Sequence, residues 1–70
     1  MAGSVREIVG KRVREYRIKR GWSQEKLAEE CGLHRTYIGQ VERGEKNIGV
    51  ENLFRLAAAL GEPATELVDV

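Results

Sequence analysis

Apolar residues along the chain recur every three or four positions, and no run alternates long enough to suggest a strand. Ile8, Val9, Val13 and Tyr16 fall on one helical face. Ser4 stands before them with Glu7 three residues on, a capping-box spacing that predicts a helix from about Val5 to Arg20. Lys19 and Arg20 suit the negative end of its dipole, and Gly21 ends it. Gly10 inside this helix costs about 1 kcal/mol relative to Ala, and a close neighbour is the simplest reason to keep it. Leu27, Ala28 and Cys31 form a second stripe, opened by Ser23 as N-cap and closed by Gly32. Ile38 and Val41 belong to a third helix, about Arg35 to Arg43, with His34 at its N-cap and Gly44 after it. Leu53, Leu56, Ala57 and Leu60 line a fourth, Val50 to Leu60, between Gly49 and Gly61. Pro63 suits the first turn of a short fifth helix ending near Val68. The expected fold class is therefore all-α, with five helices.

Only Gly32, Leu33 and His34 separate the second helix from the third. A glycine turn this short is the mark of a helix-turn-helix, here about residues 23–43, although an αα-hairpin in a bundle shares it.

Length and composition narrow the choices. Seventy residues allow a single domain, 1–70, and exclude barrels and doubly wound sheets, which need roughly 150–250 residues. So small a core calls for regular helix packing or a partner. The lone Cys31 makes no internal disulfide and reads as a small core residue. There is no Cys/His cluster for zinc, so neither a metal nor a cofactor is expected. No apolar run approaches the ~18 residues of a membrane helix, and the N-terminus lacks the apolar stretch of a signal peptide. The expected compartment is the cytoplasm.

The net charge of +1 conceals an asymmetry. Residues 1–35 carry nine Lys/Arg against five Asp/Glu, and residues 36–70 carry three against six. The halves are thus +4 and −3, which permits a basic face for nucleic acid within a near-neutral chain. Solvated helices carry charges as well, so the sharper evidence is in the third helix.

With Thr36 set at 0°, Arg43 lies at about −20°, Gln40 at about +40° and Gly39 at about −60°. Arg35 and Tyr37 flank this face, and Ile38 and Val41 fall opposite. The outward set holds no acid. Gln pairs bidentately with adenine, Arg with guanine, and Thr offers a hydroxyl and a methyl group. Gly39 would keep the face low for close approach to a duplex. A plain solvated face is the alternative. Glu42, on the shoulder of the core, reads either as a surface carboxylate or as the partner of an Arg from the first helix. Gln24 opens the second helix, whose N-terminal N–H groups favour a phosphate. Lys46 and Asn47, in the turn after the third helix, either bond the DNA backbone or form a simple turn. Trp22, just before the Ser23 cap, reads as a packing residue.

Three segments fall in register with a known pattern: S-Q-x-x-L-A from Ser23, I-x-x-V-E-R-G from Ile38, and L-x-x-L-A-x-A-L-G from Leu53. With Gly32-Leu33 between the two central helices, they resemble the Cro/CI-type (Xre) helix-turn-helix family over about residues 8–68. The resemblance implies a five-helix lambda-repressor-like domain that binds double-stranded operator DNA as a homodimer. It implies that Arg35, Thr36, Tyr37, Gln40 and Arg43 face the major groove, and that Gln24 and Ser23, with Lys46 and Asn47, meet phosphates. It also implies an ion pair between Arg17 and Glu42. His34 departs from the usual Ser or Thr, and Ile48 stands where Pro is frequent. The stretch Leu33–Asn47 in so short a chain is further similar to the controller proteins of restriction–modification systems. Free-standing phage-type repressors, and antitoxins that also bind a protein partner, share much of it.

Phe54 lies off the core face of the fourth helix and, with Leu67, Val68 and Val70, is expected at the dimer interface. An enzyme is not expected: His34 is the only His, and no motif places a nucleophile beside it. Nor is a small-molecule ligand or a membrane partner. A chain of this length would hold the DNA-binding domain alone, so regulation would come from dimerisation and operator arrangement.

Overall fold

Five α-helices follow one another along the chain: α1 Val5–Lys19, α2 Gln24–Cys31, α3 Arg35–Glu42, α4 Val50–Leu60 and α5 Ala64–Val68. The computed structural model describes residues 4–68, and no strand occurs among them. The first helix opens on the expected capping box. The Glu7 N–H donates to Ser4 Oγ at 3.3 Å, and the Ser4 N–H donates to Glu7 Oε1 at 2.9 Å. Arg20 and Arg43 serve as C-caps, so α1 and α3 stop one residue before their predicted ends. The fifth helix begins after Pro63, whose carbonyl accepts from the Glu66 N–H.

The end of α3 explains why glycine punctuates this chain. The Glu45 N–H donates to the Gln40 carbonyl at 2.9 Å and the Gly44 N–H to the Val41 carbonyl at 3.0 Å. This doubled closure needs a left-handed residue between, and Gly44 sits at φ +73°. Gly21, Gly32 and Gly61 share that conformation after α1, α2 and α4.

Helix α1 packs on α3 and α5, α2 packs on α3 and α4, and α4 packs on α5. Val9, Val13, Leu27, Ile38, Leu56 and Leu60 meet in the centre, each 2% exposed or less. The contact between α1 and α3 is close because of Gly10. A Cβ there would stand 2.8 Å from the Glu42 carbonyl oxygen and closer still to that of Val41. Two polar contacts fasten the outer helices. Tyr16 Oη donates to Glu66 Oε1 at 2.7 Å, joining α1 to α5. That bond to a carboxylate holds the Tyr16 phenol above its ordinary pKa. Arg20 Nε donates to the Leu60 carbonyl at 3.0 Å at the end of α4, and its guanidinium lies 4.8 Å from the Trp22 ring.

Leu67 is a correction to the expected dimer surface. Its side chain is fully buried in the protomer's own core. The inner face of α5 is pressed on α1 and α4 and takes Leu67 with it, while Val68, about 100° further round, stays 37% exposed. Cys31 is a buried free thiol, and burial pushes its pKa up, away from thiolate chemistry.

Candidate nucleic-acid interface

Helix α3 divides its residues sharply. Ile38 and Val41 are buried in the core, whereas Arg35, Thr36 and Arg43 are exposed. Gln40 and Tyr37 are half-buried on the flank. His34 performs the capping that Ser or Thr usually supplies: its Nδ1 accepts the Thr36 N–H at 3.2 Å. A ring nitrogen so engaged lets α3 begin at Arg35 without loss of the cap.

The helix is held from behind by a charged network. Arg17 Nε donates to Glu42 Oε2 at 2.7 Å, and Arg17 Nη2 donates to Glu42 Oε1 at 3.0 Å. The side chains are 11% and 3% exposed, so a forked ion pair is almost withdrawn from water. Arg17 Nη1 also donates to the Trp22 carbonyl at 2.8 Å, reaching the turn before α2. Gln24 Nε2 donates to Glu42 Oε1 at 3.0 Å. The first turn of α2 and the last turn of α3 are therefore tied to one arginine of α1. No buried side-chain nitrogen or oxygen among the described residues is left without a partner.

Two features of this surface differ from the sequence reading. Gly39 is buried rather than open. A Cβ at that position would lie 3.1 Å from Arg43 Nη1 and 3.6 Å from Gln24 Oε1, so the glycine makes room for two side chains that lie over it. An acid also stands at the edge of the face. Arg43 Nε donates to Glu45 Oε2 at 2.8 Å and Arg43 Nη2 to Glu45 Oε1 at 3.3 Å. The guanidinium keeps the Glu45 carboxyl below its ordinary pKa, and the carboxylate raises that of Arg43. Glu45 lies beyond the helix end, and only the turn at Gly44 brings it back beside Arg43. Asn52 was also unsignalled. Its Nδ2 donates to Tyr37 Oη at 3.2 Å, joining α4 to the flank of α3.

The other expected contacts surround α3. Ser23 is exposed, and its hydroxyl accepts the Lys26 N–H at 3.0 Å as the cap of α2. Gln24 is half-buried beside it, and Lys46 and Asn47 are exposed in the turn after α3. On α4 and α5, Val50, Phe54 and Val68 are exposed by 71%, 59% and 37%, leaving apolar surface without cover in the protomer. Val70 lies outside the described residues. No group of three or more His, Cys, Asp or Glu that could hold a metal ion occurs among the described residues. No helix there is long and apolar enough to cross a membrane.

The helix-turn-helix family model HTH_3 matches residues 13–67. The control protein C.BamHI of Bacillus amyloliquefaciens is 44% identical over 70 residues, covering 99% of this chain and 86% of its own length. The crystal structure of the restriction–modification controller protein C.AhdI from Aeromonas hydrophila superposes with a TM-score of 0.86 at 45% identity, covering 89% of this chain and 94% of that one. SinR of Bacillus subtilis, a master regulator for biofilm formation solved in complex with DNA, superposes with a TM-score of 0.84 at 31% identity, covering 87% and 98%. With five helices, an α2–turn–α3 unit and a polar α3 face braced by Arg17 and Glu42, the chain belongs to the HTH_3 helix-turn-helix family of Cro/CI (Xre) type.

Proposed function

We propose that this protein is a sequence-specific transcriptional regulator that binds double-stranded DNA as a homodimer and controls a restriction–modification operon. The observation that carries the reading is the exposed polar face of α3, backed by a buried ion pair that fixes the helix on the core. Its likeness to C.BamHI, C.AhdI and the DNA-bound SinR supports it. Helix α3 enters the major groove, and Arg35, Thr36, Tyr37, Gln40 and Arg43 meet base edges or the nearest phosphates. Ser23, Gln24, Lys46 and Asn47 bond the backbone and set the register. Arg43 exchanges or shares Glu45 on contact with DNA. That costs little, because an ion pair open to water is screened and contributes little.

A protomer 33 Å long and 22 Å across presents one α3. Two such helices one DNA turn apart, about 34 Å, require a second copy related by a two-fold axis and a near-palindromic operator. Phe54 and Val68 are the exposed apolar residues offered to that copy. The whole is a non-enzymatic binding domain working in the cytoplasm, without cofactor or small-molecule ligand. Selection from a pool of random duplexes tests the reading. We expect enrichment of a near-palindrome with half-sites about one turn apart. Gln40→Ala should then weaken the selected duplex far more than a scrambled one at the same salt concentration. No enrichment would overturn DNA recognition, and equal loss on both duplexes would remove Gln40 from base reading.

A further inference from the structure

Tyr37 and Asn52 lie on different helices, both half-buried, where the flank of α3 meets the first turn of α4. The contact between them has a direction. Asn52 Nδ2 donates to Tyr37 Oη at 3.2 Å. A phenolic hydroxyl has one proton to give and lone pairs to receive with. With a lone pair taken on the inner side by an amide N–H, the proton is left for a partner elsewhere. An N–H donated into the oxygen also polarises the O–H and strengthens the bond it makes. Asn52 has no competing duty as a helix cap. The N-cap of α4 is Gly49, and no side chain caps that helix.

We propose that Asn52 is a positioning residue that sets the Tyr37 hydroxyl as a hydrogen-bond donor toward duplex DNA. Tyr37 then selects an acceptor: a phosphate oxygen, N7 of guanine or adenine, O6 of guanine, or O4 of thymine. It discriminates against the amino groups of adenine and cytosine, which are themselves donors. The inference rests on the DNA-binding reading above and adds to it the polarity of one contact and the residue that sets it.

The test uses the full chain with the selected duplex and a scrambled duplex of equal length, at one salt concentration. Asn52→Ala should weaken binding to the selected duplex about 3- to 10-fold, the value of one oriented hydrogen bond. Tyr37→Phe should weaken it at least as much. The double variant should bind no worse than Tyr37→Phe alone, because Asn52 acts only through that hydroxyl. A loss equal on both duplexes assigns the acceptor to phosphate, and a loss confined to the selected duplex assigns it to a base edge. Asn52→Asp separates positioning from folding. Its carboxylate would accept the phenolic proton and turn it inward, so DNA binding should fall further than with Ala. Thermal stability should hold or rise, since an acid in the first turn of a helix is favourable. Independent losses in the double variant, or wild-type affinity in Asn52→Ala or Asn52→Asp, would overturn the proposal. Failure of the wild-type chain to enrich any duplex would be a different result, defeating the DNA reading itself.

Discussion

Glu42 concentrates much of the chemistry of this fold in one carboxylate. It receives two N–H groups from Arg17 and one from Gln24 while its side chain is only 3% exposed. Burying an ion pair costs desolvation, so its presence adds little net stability. Breaking it is another matter, because Arg17 would be left nearly buried without a counter-charge. Glu42→Ala should therefore cost about 3 kcal/mol. In a domain of this size that lowers the melting temperature by more than about 10 °C. Calorimetry checks it, and an unchanged melting temperature would mean that the pair does not hold α3. DNA binding should fall with it, since Gln24 loses its anchor and α3 loses its brace. The sequence left Glu42 open between a solvated acid and an ion pair, because helical position places it on the shoulder of the core but says nothing about what covers the shoulder.

At the scale of elements, two helical glycines have opposite reasons to be there. Both forgo about 1 kcal/mol of helix propensity relative to Ala. At Gly10 the obstruction is backbone: the carbonyls of Val41 and Glu42 cannot rotate away, so a methyl group would push α1 off α3. Gly10→Ala should be net destabilising by about 2 kcal/mol, in the range of overpacked cores. At Gly39 the nearest atoms are the ends of Arg43 and Gln24, and the Arg43 side chain is 59% exposed and free to swing aside. Gly39→Ala should hold or slightly raise the melting temperature and instead disturb DNA binding through Arg43. Paired thermal melts check both signs, and equal destabilisation would refute the distinction. The need for a close neighbour at Gly10 was legible from its cost in mid-helix. The burial of Gly39 was not, because its place on the helical wheel is outward and only the side chains lying over it close it off.

At the scale of the molecule, the two halves of the chain differ in the sign of their charge. The basic first half supplies α1, α2 and the start of α3, and the acidic second half supplies α4 and α5. Val50, Phe54 and Val68 expose apolar surface on the acidic half, and Val5 and Ile18 of α1 do so on the basic half. Phe54→Lys should leave the protomer folded, as surface changes usually stay within about 0.5 kcal/mol, and shift sedimentation from dimer to monomer. A dimer that persists in this variant would place the interface elsewhere.

Where the sequence alone decided the outcome, the forces are local. A capping box spans four residues, a left-handed glycine closes a turn over six, and a helical stripe repeats within two turns. Helix boundaries to within about one residue, the order of five helices, the α2–turn–α3 unit and the placing of Ile38 and Val41 opposite the polar face of α3 were therefore readable from neighbours in the chain. Other features depend on which helix lies over which, and spacing carries no such information. Leu67 turned inward because α5 is clasped by α1 and α4. Asn52 met Tyr37 because the fold brings the first turn of α4 to the flank of α3. The burial of Leu67 and the contact of Asn52 with Tyr37 belong to the tertiary structure alone, for both depend on distances set by packing and not by the rise of a helix.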